Sequence, residues 1–250
     1  MEVKRTKFQG VLNILSFNRH FYVAGLLALL TICGSLLMVK WSPLLLWITA
    51  GAFIYGLVMP LMVSAYVYDF SGYYELGWMT KIIMDYKDAS LIININAGFD
   101  ETSFLIKEKF PRADLRVFDF YNASRHTEPA IVRARKVSLV YPGTQQVASN
   151  SLPLSDCSVD IIFLLSAVHE IRSNEEKVLF LKECHRVCKQ GAKVVLVEHL
   201  RDFPNFLAFS VGFTHFFSRK VWKDAFERAG FRSLHEAKFT PFMSVIECIP

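Results

Sequence analysis

Two long apolar runs dominate the first part of the sequence. Residues 21–39 and residues 41–68 contain no charged side chain. A helix of about 20 apolar residues crosses the ~30 Å hydrocarbon core of a bilayer, so each run is long enough to span a membrane. Only Lys40 and the turn-prone pair Ser42-Pro43 separate the runs. The pattern predicts a tight hairpin of two transmembrane helices, at about residues 21–39 and 44–66.

Basic residues precede the first run. Cytoplasmic flanks of membrane helices are enriched in Lys and Arg, which places the N-terminus on the cytoplasmic side, and an even number of spans returns the chain to that side. The basic residues are Lys4, Arg5, Lys7 and Arg19. A cleaved signal peptide would need a shorter apolar region and a small-residue cleavage site. A buried soluble hairpin would need more covering chain than 250 residues supply. Residues 1–68 are therefore interpreted as a membrane anchor with two spans.

Charged residues return from Asp69 onward, and strand-like and helix-like patterns then alternate. This alternation predicts a Rossmann-like, mostly parallel α/β sheet over residues 69–250. The tail around Thr240-Pro241 predicts an antiparallel C-terminal pair. The predicted strands are residues 91–95, 115–118, 145–148, 159–165 and 192–197, and the predicted helices include residues 126–136, 174–189 and 219–229.

Residues 91–119 have the outline of a nucleotide-binding βαβ unit. A buried strand runs into a turn at 96–100 that contains Gly98, a helical segment follows, and a second strand ends in Asp119. In such units the turn presents backbone N–H groups to a ligand, and the acid about 20 residues on accepts hydrogen bonds from ribose hydroxyls.

Several motifs in this order resemble a class I S-adenosylmethionine (SAM)-dependent methyltransferase of the quinone and lipid type. Residues 92–100 resemble the family's VLDVGCGTG, and residues 152–163, LPLSDCSVDIIF, resemble LPFPDNSFDVV. Residues 166–199 are similar to the family's fourth strand, helix and fifth strand, and residues 217–231 to its last helix. The resemblance covers about residues 66–250. It implies SAM as cofactor, held by the residues Tyr74, Asn96, Ala97, Gly98, Asp119, Ser166 and His169.

The turn departs from the family pattern because Gly98 is the one glycine kept of three. Asn is the non-glycine residue that best tolerates positive φ, so Asn96 can still form the turn. Asp100 stands where an acid would face the methionine portion of SAM. Ala148 replaces the acid that usually reads the adenine amino group.

Methyl transfer from a sulfonium needs alignment and, for some acceptors, a base. His199 follows a predicted strand directly, and His215 lies in an aromatic stretch, so both are candidate catalytic residues. The alternative for His199 is a structural loop residue held by Glu198 or Asp202. His169-Glu170 lacks the second histidine of a zinc HExxH helix and is interpreted as closing the cofactor pocket. Cys184, His185 and Cys188 lie within one predicted helix and are interpreted as core residues rather than metal ligands.

Phenylalanines recur every three or four residues along 202–218, from Phe203 through Phe209 to Phe216. This stripe is either core packing or an interfacial lid that admits a lipophilic acceptor from the bilayer.

Composition restricts the remaining possibilities. The net charge of +5 is modest and without a block of like charge, which argues against a nucleic-acid partner. Five scattered cysteines do not form a disulfide framework.

The sequence therefore predicts a membrane-anchored, cytoplasm-facing SAM-dependent methyltransferase with a lipophilic acceptor such as a lipid, quinone or pigment, and leaves its oligomeric state open. A non-catalytic scaffold or ligand sensor on the same fold is the alternative. An NAD-dependent oxidoreductase is disfavoured, because its GxGxxG needs glycines in place of Asn96 and Glu101.

Overall fold

The computed structural model describes residues 5–250, so Lys4, one of the four basic residues used to predict the membrane orientation, lies outside the described chain. The chain begins with three helices, α1 (Gln9–Phe17), α2 (Arg19–Met38) and α3 (Pro43–Ala65), and a π-helical turn (Tyr66–Phe70) extends α3. Helices α2 and α3 correspond to the predicted spans. Helix α1 was not predicted from the sequence.

The second part alternates strands and helices, as predicted. After a 3-10 turn (Gly77–Met79), the elements in order are α4 (Thr80–Asp85), β1 (Leu91–Asn96), α5 (Ser103–Lys109), β2 (Asp114–Asp119), α6 (Pro129–Ala134), β3 (Gln145–Gln146), β4 (Val159–Leu165), a 3-10 turn (Val168–Glu170), α7 (Asn174–Val187), β5 (Cys188–His199), α8 (Phe203–Phe209), a 3-10 segment (Ser210–His215), α9 (Arg219–Ala229), β6 (Ser233–Lys238) and β7 (Met243–Ile249).

Within residues 5–250, seven strands form one sheet in the order β3-β2-β1-β4-β5-β7-β6. Strands β1 to β5 pair in parallel, and β7 is antiparallel to both β5 and β6. The predicted Rossmann-like class with an antiparallel C-terminal pair is confirmed. The strand order reverses at β1, between β2 and β4, which opens a crevice at the carboxyl ends of these strands.

Apolar side chains cover both faces of the sheet, as parallel strands require. Phe118, Phe180 and Trp222 belong to the core on one face, and Tyr73, Met79 and Phe163 to the core on the other. Cys184 and Cys188 are buried in the first of these cores. The five cysteines, all within the described chain, are unpaired.

Local signals set several element ends. Ser218 caps α9 by accepting a hydrogen bond from the backbone N–H of Val221, and Gly230 ends it with φ of 103°. Asp202 caps α8 in the same way through Asn205. Helix α7 ends at Val187, two residues before the predicted boundary, because Cys188 already adopts an extended conformation and begins β5.

Candidate active site

The loop after β1 makes a sharp turn at the crevice. Gly98 has φ of 81°, a conformation that L side chains rarely adopt. The backbone N–H of Gly98 donates to Asn96 Oδ1 at 2.7 Å, so the asparagine side chain holds the turn that glycines form in the resembled family. Ala97 beside it is buried. The turn therefore survives with one glycine.

Asp119 ends β2 and lies beside this turn. Its register partner in β1 is Asn96, which brings the two functional ends to one edge of the sheet. One carboxylate oxygen of Asp119 accepts from the backbone N–H of Tyr121 at 2.8 Å. The other accepts from Arg135 Nη1 at 2.6 Å. Asp119 thus lies at the carboxyl edge beside the turn, and one of its two oxygens is bonded to a protein cation; its role as the ribose ligand stays a prediction.

Arg135 fills the space in front of the turn. Its Nη1 also donates to the carbonyl oxygen of Ala97 at 2.8 Å, and its guanidinium lies 4.1 Å from the ring centre of Tyr121. A Cβ added at Gly98 would be 1.4 Å from Arg135 Nη1 and 2.8 Å from Asp119 Oδ2. Gly98 is thus the point of closest backbone approach, and a planar cation occupies it.

Two buried polar atoms of the loop have no hydrogen-bond partner within the described chain: Asn96 Nδ2 and Asp100 Oδ2. Asp100 Oδ1 accepts from the backbone N–H groups of Thr102 and Ser103, and burial raises the pKa of its carboxyl group. An unpartnered donor and an unpartnered acceptor beside the turn are what a bound polar ligand would satisfy.

Helix α1 lies over the loop. Asp69 accepts hydrogen bonds from the backbone N–H groups of Gly10 and Val11 at the start of α1. Gln9 Nε2 donates to Glu101 at 2.9 Å. Between α1 and the loop is a cavity of about 110 Å³, far smaller than the roughly 300–1,000 Å³ of ligand pockets. This cavity is lined by Asp100 and Glu101 of the loop but not by Gly98 or Asp119.

Tyr74, predicted near the methionine end of the cofactor, lies against the same loop. Its hydroxyl donates to Glu101 at 2.5 Å, and the guanidinium of Arg5 lies 3.5 Å from its ring centre. Arg5, one of the basic residues used to predict the membrane orientation, also pairs with Glu101 at 2.8 Å.

Ser166 follows β4 and faces the tyrosines. Its backbone has φ of 51°, and its hydroxyl shares a hydrogen bond of 3.2 Å with Tyr73. It lies at the same carboxyl edge as the turn after β1, because β1 and β4 are paired neighbours.

His199 is buried at the end of β5, and both ring nitrogens have partners. Nε2 accepts from the hydroxyl of Tyr68 at 3.1 Å, while Nδ1–H donates to the carbonyl oxygen of Phe242 at 3.0 Å and to Asn205 Oδ1 at 3.1 Å. Burial lowers the pKa of His199 to about 4. The ring is neutral at pH 7, and to act as a base it must exchange its bond with Tyr68 for one with the acceptor. Its partners differ from Glu198 and Asp202, the residues considered from the sequence.

His169 and His215 lie side by side, with ring centres 5.2 Å apart. His169 Nδ1 is 2.8 Å from Glu198 Oε2, and its Nε2 is 3.6 Å from Glu170. Burial opposes a charge on His169, but Glu198 and Glu170 outweigh it and raise the pKa to about 9. The contacts of His169 are therefore with this cluster, which the sequence did not reveal. Its predicted role at the cofactor pocket stays a prediction, as do the catalytic roles of His199 and His215.

Comparison with protein families gives one match, described as a methyltransferase domain, over residues 115–196. Comparison with curated proteins found no match. Among solved structures, a SAM-dependent methyltransferase from Aquifex aeolicus superposes with a TM-score of 0.50 at 16% identity, covering 68% of this chain and 87% of that one. Human N-acetylserotonin methyltransferase, in complex with SAM, superposes with a TM-score of 0.51 at 14% identity, covering 79% of this chain and 57% of that one.

At these identities the superpositions show the fold alone, and the family match covers about a third of the chain. The match includes Asp119 and runs from β2 through most of β5, whereas β1 and the turn at Gly98 lie outside it. The unpartnered donor Asn96 Nδ2 and acceptor Asp100 Oδ2 are available to a polar ligand once Arg135 moves aside. Residues 115–196 therefore resemble a methyltransferase domain, and the chain has the fold that these SAM-dependent methyltransferases share.

Proposed function

We propose that the protein is a membrane-anchored SAM-dependent methyltransferase that methylates a lipophilic acceptor, such as a lipid, a quinone or a pigment. The observation that carries this proposal is a hydrogen bond of 2.6 Å from the Tyr55 hydroxyl, in α3, to the carbonyl oxygen of Leu207, in α8. This bond joins an apolar helix of membrane-spanning length to an apolar edge of the methyltransferase domain.

The anchor is supported by the exposure of the two apolar helices. In the described part of the chain, two helices are long and apolar enough to cross a membrane, Arg19–Met38 and Pro43–Phe70. Neither is covered by the rest of the protein over its apolar window. A core helix of a soluble protein would be covered, so large side chains such as Phe21, Leu30 and Trp47, each more than 60% exposed, favour a lipid environment.

The edge beside α3 supports an acceptor taken from the bilayer. Helix α8 and the 3-10 segment after it present outward the side chains of Phe203, Phe206, Leu207 and Val211, the last being 83% exposed. Phe209 instead points inward, where its ring lies 5.2 Å from the ring of His199. The predicted phenylalanine stripe thus divides into an outward part that can enter the headgroup region and an inward part that packs on the site.

The domain's own residues define how the cofactor would be held. Asp119 would accept from the ribose hydroxyls, the backbone at Gly98 would allow close approach, and Asn96 Nδ2 and Asp100 Oδ2 would gain the partners they lack. Bound SAM supplies an electrophilic methyl group on its sulfonium. The protein's part is to align the acceptor with that methyl group and to exclude water.

The orientation of the protein in the membrane is assigned from the number of spans. With an even number of spans, both termini and the methyltransferase domain lie on one side of the membrane, and we assign this side to the cytoplasm, where SAM is available.

A mass-spectrometric comparison of lipid extracts tests the function. Membranes containing the full-length protein and SAM should yield product pairs that differ by one methylene unit. Phe206→Asp combined with Val211→Asp should remove turnover of a bilayer acceptor while SAM binding is unchanged. Leu179→Asp, at a 49% exposed apolar position on α7, is the matched control and should keep turnover. Equal turnover by the double variant and by the control would contradict a lipid-facing entrance.

A non-catalytic scaffold or sensor is the second candidate, and Arg135 in front of Gly98 is the observation that favours it. Calorimetry of the folded full-length protein with SAM, S-adenosylhomocysteine and NAD separates the possibilities. Binding of SAM and its product supports the enzyme, and binding of none of the three supports the scaffold.

A further inference from the structure

Three side chains of metal-ligand type converge near the carboxyl end of β4. His169 and Glu170 belong to the 3-10 turn after β4, and His215 ends the 3-10 segment after α8. One potential ligand atom from each residue lies within 4.8 Å of the other two. The cluster joins segments that are 45 positions apart in the sequence, so it is a product of the fold.

His169 is oriented by a carboxylate behind it. Its Nδ1 bonds to Glu198 Oε2 at 2.8 Å, and its backbone N–H donates to Glu198 Oε1 at 3.2 Å. With Nδ1 engaged, Nε2 is the nitrogen left to face Glu170. A carboxylate that accepts from the second nitrogen of a histidine is the usual support of a metal-binding imidazole. His215 has a similar neighbour, because its Nδ1 lies 3.5 Å from Glu128 Oε2.

Glu170 is an independent sign that a ligand is needed. The residue is 5% exposed, and in the described chain its Oε2 has no hydrogen-bond partner. The distance of 3.6 Å from its Oε1 to His169 Nε2 is also too long for a hydrogen bond. Glu170 therefore has one ion-pair neighbour, His169, and one buried oxygen without a partner, which a bound cation would satisfy.

Arg172 holds the two segments together. Its Nη1 donates to the carbonyl oxygen of His215 at 2.7 Å and to that of His169 at 3.2 Å. Its hydrogen bonds therefore go to backbone carbonyl groups, which leaves His169 Nε2 and the Glu170 carboxylate available to a ligand. The histidine side chains are 20% and 31% exposed, which gives an ion an entry path.

We propose that His169 Nε2, the Glu170 carboxylate and a ring nitrogen of His215 bind one divalent first-row transition metal ion. Two imidazoles and one carboxylate suit Zn²⁺ and its neighbours in the series, and three protein ligands leave at least one position open. Bonds of about 2.0–2.1 Å require the ligand atoms to draw about 1 Å closer than in this structure. Metal binding at this cluster does not depend on the identity of the methyl acceptor.

The test is a metal titration of the full-length protein in detergent, after removal of any affinity tag and dialysis against a chelator. Elemental analysis should find one equivalent of Zn²⁺, and Co²⁺ should give the visible band of a low-symmetry site. His169→Ala and His215→Ala should each weaken Zn²⁺ binding by more than about 100-fold, and Glu170→Gln by more than about 10-fold. Glu198→Gln should weaken it by about 10- to 100-fold and keep the Co²⁺ band, because Glu198 orients His169 without touching the ion.

His235→Ala is the matched control, because His235 is exposed on β6, and it should bind Zn²⁺ like the unsubstituted protein. Zn²⁺ should raise the unfolding temperature of the unsubstituted protein and of the control, but not that of Glu170→Gln. This result would support the site even if a histidine variant folds poorly. Less than one equivalent of metal, or equal binding by Glu170→Gln and His235→Ala, would overturn it. The cluster would then be a protonated histidine between carboxylates.

Discussion

Removing the Arg135 side chain should tighten SAM binding. Arg135 Nη1 lies 2.6 Å from Asp119 Oδ2 and 2.8 Å from the carbonyl oxygen of Ala97, in the space that a ligand at Gly98 must enter. A ligand can bind only after these contacts break. The apparent affinity of SAM is therefore lowered by the stability of the closed arrangement.

The magnitude follows from the contacts. Charge-assisted hydrogen bonds contribute about 1.5–3 kcal/mol, and stacking of the guanidinium on Tyr121 contributes about 0.5–1 kcal/mol at an exposed site. The side chains of Arg135 and Asp119 are 27% and 11% exposed, so solvent screens part of this energy. A net cost of about 2 kcal/mol corresponds to about 30-fold in affinity. Arg135→Ala should lower the Kd for SAM by about 10- to 100-fold.

Isothermal titration of the full-length protein in detergent measures this change. SAM carries a net positive charge, so the loss of any nearby cation favours it slightly. Lys136→Ala removes the same charge from the adjacent exposed position and is the matched control. An Arg135→Ala variant that binds SAM no more tightly than Lys136→Ala does would refute the reasoning, because Arg135 would then be a contact of the cofactor or a bystander.

Three further predictions follow from single residues. Gly98→Ala should lower the free energy of unfolding by at least about 1–2 kcal/mol, because the backbone there has φ of 81° and the added Cβ would displace the Arg135 side chain. A denaturation curve at constant m-value checks this, and an unchanged midpoint would contradict it. The pKa of His199 is lowered from 6.5 to about 4, so its contribution to stability is present above pH 6.5 and is lost as the pH falls toward 4. Between pH 6.5 and pH 4, the free energy of unfolding of His199→Asn should therefore fall by about 3 kcal/mol less than that of the unsubstituted protein. Identical pH profiles of the two proteins would contradict this. Tyr55→Phe removes the bond to Leu207 and should speed amide hydrogen exchange over Phe203–Phe209 without changing exchange in β4; unaltered exchange in α8 would show that the bond does not hold α8 to the anchor.

The sheet was predictable because its signals are local. The apolar run of β4 and the helical period of α7 are each contained in fewer than 20 neighbouring residues. The predicted bounds of β4 match the structure, and only the end of α7 was placed two residues too late. The weak third strand was also found, although β3 is only Gln145–Gln146. The predicted helix over residues 126–136 is shorter in the structure, Pro129–Ala134, because Pro129 fixes its first turn.

Helix α1 was missed because its stability is not local. Its first N–H groups are satisfied by Asp69, a residue about 60 positions away, and Phe17 packs on Phe99. The apolar positions of residues 11–17 were the available signal, but the neighbouring membrane run masked it.

The backbone of the candidate site could be predicted from the sequence, but the side chain that fills the site could not. The turn at Gly98 and the acid at Asp119 follow from spacing along one βαβ unit. The position of Arg135 in front of them depends on how α6 packs, which no spacing encodes. In the same way, the missing second histidine argues against an HExxH zinc motif at His169, whereas the residue that completes the cluster is His215, which a different segment brings there.

The central claim is that the turn at Gly98 and the carboxylate of Asp119 hold SAM, and calorimetric titration of the full-length protein and its Asp119→Ala variant with SAM tests it most directly. The account predicts one SAM bound per chain, with affinity lowered at least about 10-fold by Asp119→Ala. Equal affinity in the two proteins, or no binding by the folded protein and by Arg135→Ala alike, would contradict it.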